Sequence, residues 1–495
     1  LRTVIINDSS AMSSEIKNLL PKHVWGYFYE LTLIPRPTGQ MEAVTRYVYD
    51  FGKSLGLETL RDEVGNVLIR KPAVKGMEGR KTVVLQSHLD MVPQKNSAVK
   101  HDFTVDPIDA YIDGDWVTAR DTTLGADNGI GAALAMAVLS DNTLKHGAVE
   151  ALFTIDEEVG MDGAFGLKPG FLKADILINC DSEEEGELFT GCAGGTDLNI
   201  SFQYKDDTHI PEGDVAVKLS ISGLKGGHSG VDIHLGRANA NKLLFRFLKE
   251  AVREHGARLA SIDGGNMRNA IPREAFAVVT IPEGNAENLW ELVSDYQDLY
   301  RAEYASVEDT ICFAVEKVDL PLTLIPEEIQ DDLINAVEGC QNGVAGMLHD
   351  FPETVESSSN LAVVQSSEGL IEIRILVRSS SESRKEALCS SLESIFSLAG
   401  AKVEEGGAYN GWQPDIHSPI LRTMQETYLA LFGKTPSVKV IHAGLECGII
   451  QGVYPKMDMI SVGPDLEHPH SPDERVSISS VAKIWEFLKA VLERI

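Results

Sequence analysis

"AVEALFTIDEEVGMDG", residues 148–163, decides how this sequence is to be read. An apolar run with the character of a buried strand ends in Asp156, Glu157 and Glu158, and glycines follow at 160 and 163. Withdrawing a carboxylate from water without a partner costs on the order of several kcal/mol. Something cationic, or open solvent, must therefore meet three acidic groups at that tip.

The surrounding chain alternates in the same way. "MEAVTRYVYDFGKSLG" has helical periodicity, "KTVVLQSHLD" reads as a strand, "NGIGAALAMAVLSD" as a helix of small residues, and "ADILINCD" as a strand again. Continuous apolar strands between helices imply a mostly parallel sheet covered by helices on both faces, an α/β catalytic domain. Near the C-terminus "VKVIHAGLECGII" and "KMDMISVGP" return to that pattern. A closing helix follows, with Val481, Ile484, Leu488, Val491 and Ile495 on one face.

Residues 197–399 interrupt this domain, which is expected over 12–196 and 400–495. A strand at 215–221, a helix at 237–254, strands near Leu259 and at 276–281, a helix at 286–303 and a strand at 310–318 spell β-α-β-β-α-β. A near repeat follows: a helix at 326–339, strands at 361–365 and 370–378, a helix at 381–398 and a short strand at 402–404. The insertion is expected to be a doubled α+β lid.

Composition narrows the function. With 495 residues the chain exceeds what one core supports. A formal net charge of -30 argues against nucleic acid and anionic membrane as partners. No run approaches the ~20 apolar residues of a membrane span, and the opening "LRTVIINDSSAMSSEIKNLL" does not read as a charged region followed by an apolar signal core, so a cytoplasmic protein is expected. Residues 1–11 read as an expression leader before a natural start at Met12. Six cysteines without CxxC spacing suit reduced, mostly buried thiols.

Potential ligands fall at the carboxyl ends of the strands, where open α/β sheets place their sites. His88 and Asp90 end "VVLQSHLDMV", Asp127 lies in "TTLGADNGIG", Glu157 and Glu158 end their strand, Asp181 ends "ILINCD", and His470 lies in "EHPHSPDE". Imidazole and carboxylate are ligands for zinc or manganese, and an excess of carboxylates favours two ions sharing one of them. Those ions are the expected cations at the acidic tip. The two-residue spacing puts Asp90 on the strand face of His88, able to hold its second ring nitrogen. Neighbouring Glu157 and Glu158 point differently, so one can bind metal while the other serves a nucleophilic water as general base. His470, just before "SPDE", is preferred over His468 as ligand, and His23, His101, His146 and His417 are expected to be exposed or capping. "GADNGIG" lacks the GK[ST] ending of a phosphate loop; its glycines are expected to serve a tight turn and close helix packing.

The strings "VVLQSHLDMVPQK", "TTLGADNGIG", "EEVGMDGAFGL", "DSEEEGE", "GLKGGHSG", "RNAIPREA", "GWQPD", "HAGLECG" and "PHSPDE" together resemble the dinuclear zinc metallopeptidase family that includes aminoacylase-1, glutamate carboxypeptidases and dipeptidases. The resemblance covers nearly all of the chain from Met12. It implies two divalent ions, zinc with manganese or cobalt as alternatives. Asp127 would bridge them, His88 and Asp181 completing one site and Glu158 and His470 the other. It further implies Glu157 as general base, Asp90 as the group orienting His88, His228 as the histidine that steadies the oxyanion, Asn269 as a substrate-binding amide, and Arg378, helped by the backbone at Gly444, as the clamp on the substrate carboxylate. The implied reaction is hydrolysis of dipeptides with a free carboxylate, Xaa-His dipeptides such as carnosine among them. An N-acyl-amino-acid deacylase or carboxypeptidase of the same family is the alternative, and a non-catalytic metal-binding scaffold the remote one. In relatives with a single lid the histidine comes from a second subunit; here two lid units would imitate a dimer within one chain, with a homodimer still open.

Overall fold

The structure of the protein is a computed structural model describing residues 14–495. The expected leader at 1–11 lies outside the described residues. The described chain divides into two compact units, one of residues up to 191, 414–440 and 446–495, the other of residues 192–413 and 441–445. The second unit is thus wider than the insertion read from the sequence, and it reclaims a five-residue return at 441–445.

In the first unit an eight-stranded sheet runs in the order Glu58–Arg61, Val67–Lys71, Val149–Thr154, Val83–His88, Ile176–Asn179, Asp458–Ser461, Glu187–Cys192, Ser437–Ile441. Its central four strands are parallel, and they are flanked by antiparallel pairing of Val67–Lys71 with Val149–Thr154 on one side and of Glu187–Cys192 with Asp458–Ser461 on the other. Side chains alternate along each strand. Val83 and Leu85 join a core with Phe28 and Leu134 from the helices Lys22–Thr32 and Ala126–Ser140. Val84, Gln86 and His88 point to the opposite face, which is also buried. Both faces are covered, as parallel strands require.

Gln86, Thr154, Asn179 and Ser461 make a buried polar row on that second face. Asn179 Nδ2 donates to Gln86 Oε1 at 2.6 Å, and Gln86 Nε2 donates to Glu446 Oε2 at 2.5 Å. Thr154 Oγ1 donates to the same glutamate oxygen at 2.9 Å. Each polar side chain finds a partner inside the fold, which offsets its loss of water.

A small antiparallel sheet in this unit joins Leu466–Glu467, Arg475–Ser477, Trp116–Ala119 and Ala110–Asp113. The first two strands form a hairpin, so the loop between them, which carries His470, is held at both ends. The small-residue helix Ala126–Ser140 packs closely on the main sheet because a side chain would not fit: a Cβ on Gly131 would lie 2.4 Å from the Cys180 carbonyl oxygen.

The second unit is built on one antiparallel sheet in the order Cys312–Val318, Asp214–Ser222, Ala275–Pro282, Arg258–Gly264, Val355–Ser367, Leu370–Ser379, Gly194–Gln203, Lys402–Tyr409, with Gly343–Met347 added beside Val355–Ser367. Its helices Ala240–His255, Ala286–Glu303, Glu327–Gly339 and Glu382–Leu398 share a core with every second strand residue, such as Val217, Leu219 and Ile221. Outward from the junction Asp263↔Gln365 and Gly264↔Val364, four strands lie on each side in corresponding order. The second array takes Gly194–Gln203, a strand that precedes the whole first array in sequence and that periodicity had not singled out.

Candidate metal centre and substrate-binding groups

In the first unit His88 ends its strand, and its Nε2 lies 3.0 Å from Asp127 Oδ1 and 3.4 Å from Asp181 Oδ1. His470 Nε2 lies 3.1 Å from Asp127 Oδ2 and 3.0 Å from Glu158 Oε2. The two oxygens of Asp127 therefore face two different histidines. Ligand atoms of His88, Asp127 and Asp181 lie within 4.8 Å of one another, as do those of Asp127, Glu158 and His470, and those of His88, Glu157 and Glu158.

Local backbone explains the convergence. Gly125 takes φ 74°, which turns the chain just before the helix, and Asp127 and Asn128 keep non-helical angles inside it. Asn128 Nδ2 bonds the Cys180 carbonyl at 2.9 Å and also donates to Asp181. Glu157 and Glu158 do not end a strand, as the sequence suggested. The strand stops at Thr154, Asp156 adopts φ 50°, and Glu157–Gly160 is a short helical turn. Although the two residues are neighbours on that turn, an oxygen of each carboxylate lies within 4.8 Å of the other and of a His88 ring nitrogen.

Asp90 lies beyond its strand's end rather than on it. Its Oδ1 is 3.3 Å from His88 Nδ1. Its two oxygens also accept the backbone N–H groups of Glu157 at 3.0 Å and Glu158 at 3.2 Å, and Thr38 Oγ1 donates at 2.8 Å. Burial opposes the charged form, but His88 and these donors outweigh it and hold the Asp90 carboxyl at about 2. One carboxylate thus ties the His88 strand to the Glu157 turn.

The donor set fits divalent cations. Three carboxylates and two imidazoles converge, Asp127 being common to the group with His88 and Asp181 and the group with Glu158 and His470, and Glu158 Oε1 is buried without a hydrogen-bond partner. Burial pushes Glu157 well above the ordinary carboxylate range, with Asp181, Glu158 and Glu446 adding to the shift against His88. Burial also raises Glu158 and Asp181, and it raises Glu183 to about 8. His470 is raised to about 11 by its bonds to Asp127 and Glu158. Negative charge in this pocket exceeds what its histidines balance, the condition under which cations bind.

In the second unit Gly227–His228 pairs with Ala270–Ile271, which sets His228 across from Ala270. His228 Nδ1 accepts the N–H groups of Gly230 and Val231, both at 3.1 Å. Burial and then the Arg378 charge lower this imidazole to about 4, so it is neutral with its proton on Nε2. Arg378 is the last residue but one of the strand Leu370–Ser379 and is 4% exposed. It donates to Tyr409 Oη at 2.9 Å and to Ser229 Oγ at 3.3 Å, and among the described residues it has no carboxylate partner within salt-bridge distance. Asn269 is exposed, and its carbonyl accepts from the Ser229 N–H at 2.9 Å. Gly444 lies in the 441–445 return, where the Ala443 and Ile441 carbonyls both accept from Ala193 N–H.

Sequence reasoning missed Tyr409, Ser229 and His442. Burial, then Arg378 and His228, lowers His442 to about 3, and its Nε2 is 2.7 Å from Ser358 Oγ. No spacing marks these residues, because each acts on a neighbour distant in sequence. His23 and His417 are exposed as expected, but His146 is buried, with Nδ1 2.6 Å from the Gly147 carbonyl oxygen.

Residues 84–494 match Peptidase family M20/M25/M40. The chain is 48% identical over 482 residues to the cytosol non-specific dipeptidase of Escherichia coli strain K12, covering 97% of this chain and 99% of the relative. It is similar in structure to aminoacylhistidine dipeptidase from Vibrio alginolyticus, with TM-score 0.90 and 47% identity over 98% of this chain and 99% of the other. Aminopeptidase PepT from Bacillus cereus shares the fold at TM-score 0.56 and 17% identity, covering 96% and 98% of the two chains.

Proposed function

The chain belongs to Peptidase family M20/M25/M40 and is a dipeptidase, and on that premise we propose how it works and what it prefers. Its substrates are dipeptides with a free carboxylate, Xaa-His dipeptides among them, as the name of the Vibrio relative supports. His88 and Asp181 would hold one divalent ion, Glu158 and His470 the other, with Asp127 shared; zinc suits this nitrogen and oxygen set. Bound there, the ions supply acidification of a water and polarisation of the scissile carbonyl. Glu157 takes the proton from that water as its oxygen attacks the carbonyl carbon, and delivers it to the departing amine nitrogen as the C–N bond breaks. His228 Nε2–H donates to the carbonyl oxygen as it becomes negative. Asn269 binds the substrate, and Arg378, with the backbone at Gly444, binds its carboxylate. We place the chain in the cytoplasm, following the name of its E. coli relative.

The observation that carries the substrate class is Arg378: a buried guanidinium satisfied only by neutral groups among the described residues favours an anionic ligand. The test is a panel of dipeptides, a tripeptide and an N-acetyl amino acid, run on chelated and zinc-restored protein. Zinc-dependent cleavage confined to dipeptides is expected. Preference for the acetylated amino acid would replace this reading with a deacylase.

A further inference from the structure

Glu474 belongs to none of the ligand groups, yet four consecutive backbone N–H groups end on it. Its Oε2 accepts from Leu124 at 2.7 Å and Gly125 at 3.0 Å, and its Oε1 accepts from Ala126 at 2.7 Å and Asp127 at 3.2 Å. The side chain is buried, four residues after His470 and at the foot of the same hairpin. These N–H groups lead into the helix Ala126–Ser140, where such donors lack intrahelical partners.

Arg36 holds the same loop by its carbonyl. It is also buried, and its Nη2 donates to the Gly125 carbonyl. Its Nη1 donates to the carbonyls of Leu89 at 2.9 Å and Asp90 at 3.3 Å. Gly125 is therefore gripped by Glu474 at its N–H and by Arg36 at its C=O. A Cβ there would lie 2.6 Å from Arg36 Nη2 and 2.8 Å from Met91 Sδ. The three segments that carry His88, Asp127 and His470 are thus joined through two buried, oppositely charged side chains.

We infer that Arg36 and Glu474 are positioning residues that fix the Asp127 carboxylate between the two ion sites before metal binds. The inference rests on the reading of Asp127 as the shared ligand. A loop free to move would have to be ordered by the ions, which would lower their affinity; a loop held in advance spares that cost.

The test is a Co(II) titration of the full-length, chelated protein against a competing chromophoric chelator, with near-UV circular dichroism and urea unfolding on the same metal-free samples. Glu474→Gln, Glu474→Asp and Arg36→Lys are compared with wild type. Expected are a native near-UV spectrum and cooperative unfolding for Glu474→Gln, with Co(II) affinity about 10–100-fold weaker. Partial recovery is expected in Glu474→Asp, which keeps the charge, and weakening of at least about 10-fold in Arg36→Lys, which keeps charge but not the branched donor. Turnover of Glu474→Gln should climb toward wild type as Co(II) is raised, with KM for the dipeptide unchanged. Wild-type affinity in folded Glu474→Gln or folded Arg36→Lys overturns the inference. Failure of all three variants to fold also overturns it, by assigning the pair to the fold alone. Failure of wild type to take up two equivalents would strike the metal reading instead.

Discussion

Glu157 has its backbone N–H bonded to Asp90, and burial keeps its carboxylate, the proposed general base, avid for protons. Replacing Glu157 with Ala should leave metal content intact and lower kcat by about 10²–10⁴-fold, the range for a lost general base. Near-normal turnover alongside full metal content would remove Glu157 from that role. Arg378→Met should lower kcat/KM for a dipeptide by about 30–100-fold, as the loss of a charged hydrogen bond implies, and should scarcely change the slow cleavage of the C-terminal amide. Equal losses for acid and amide would show that the guanidinium does not meet the carboxylate. The candidate ligands His88 and Asp181 were legible in the sequence because they stand at or just beyond strand ends, and Asp127 because it opens the small-residue helix. Glu474 was not, although it sits in a quoted string: its partners are backbone groups about 350 positions away, and backbone leaves no mark in a sequence.

At the scale of elements, the apolar run before Glu157 was readable as a strand, but its tip was not. Asp156 in a left-handed conformation and the following helical turn depend on Asp90 receiving two N–H groups, a tertiary effect that overrides local pattern. The row beneath the central strands carries a measurable consequence. Burial raises Glu446 from 4.5 to about 7. The folded protein therefore keeps that proton to higher pH than the unfolded chain does. The stabilisation is complete below about 4.5 and is lost as pH rises through about 7, a span worth about 3 kcal/mol. In urea unfolding of chelated protein, wild type should lose that much stability relative to Glu446→Gln between those pH values. Parallel pH profiles for the two proteins would contradict the assignment.

At the scale of the whole chain, alternation of apolar strands and helices made the parallel sheet of the first unit legible, because strands covered on both faces are predominantly apolar, the polar row from Gln86 to Ser461 being the exception here. The eight-strand continuity of the second unit was not legible, since pairing of Gly194–Gln203 with Leu370–Ser379 spans too much sequence for any periodicity to report. On the proposed reading one chain supplies both His228, on the short strand Gly227–His228 paired with Ala270–Ile271, and Arg378, on the second array. Mixing His228→Ala with Glu157→Ala protein should therefore restore no activity, and wild-type specific activity should hold on dilution to the monomer. Recovery on mixing would mean that sites are completed between chains.

Gly194–Gln203 leaves the ribosome before either of its neighbours, Leu370–Ser379 and Lys402–Tyr409, has been made. Throughout that interval its backbone donors and acceptors face water on both edges, a template for unwanted pairing with other nascent chains. Translation stalled near residue 330 should consequently yield a protease-sensitive, aggregation-prone product, whereas a chain completed past Tyr409 can seal the strand on both sides.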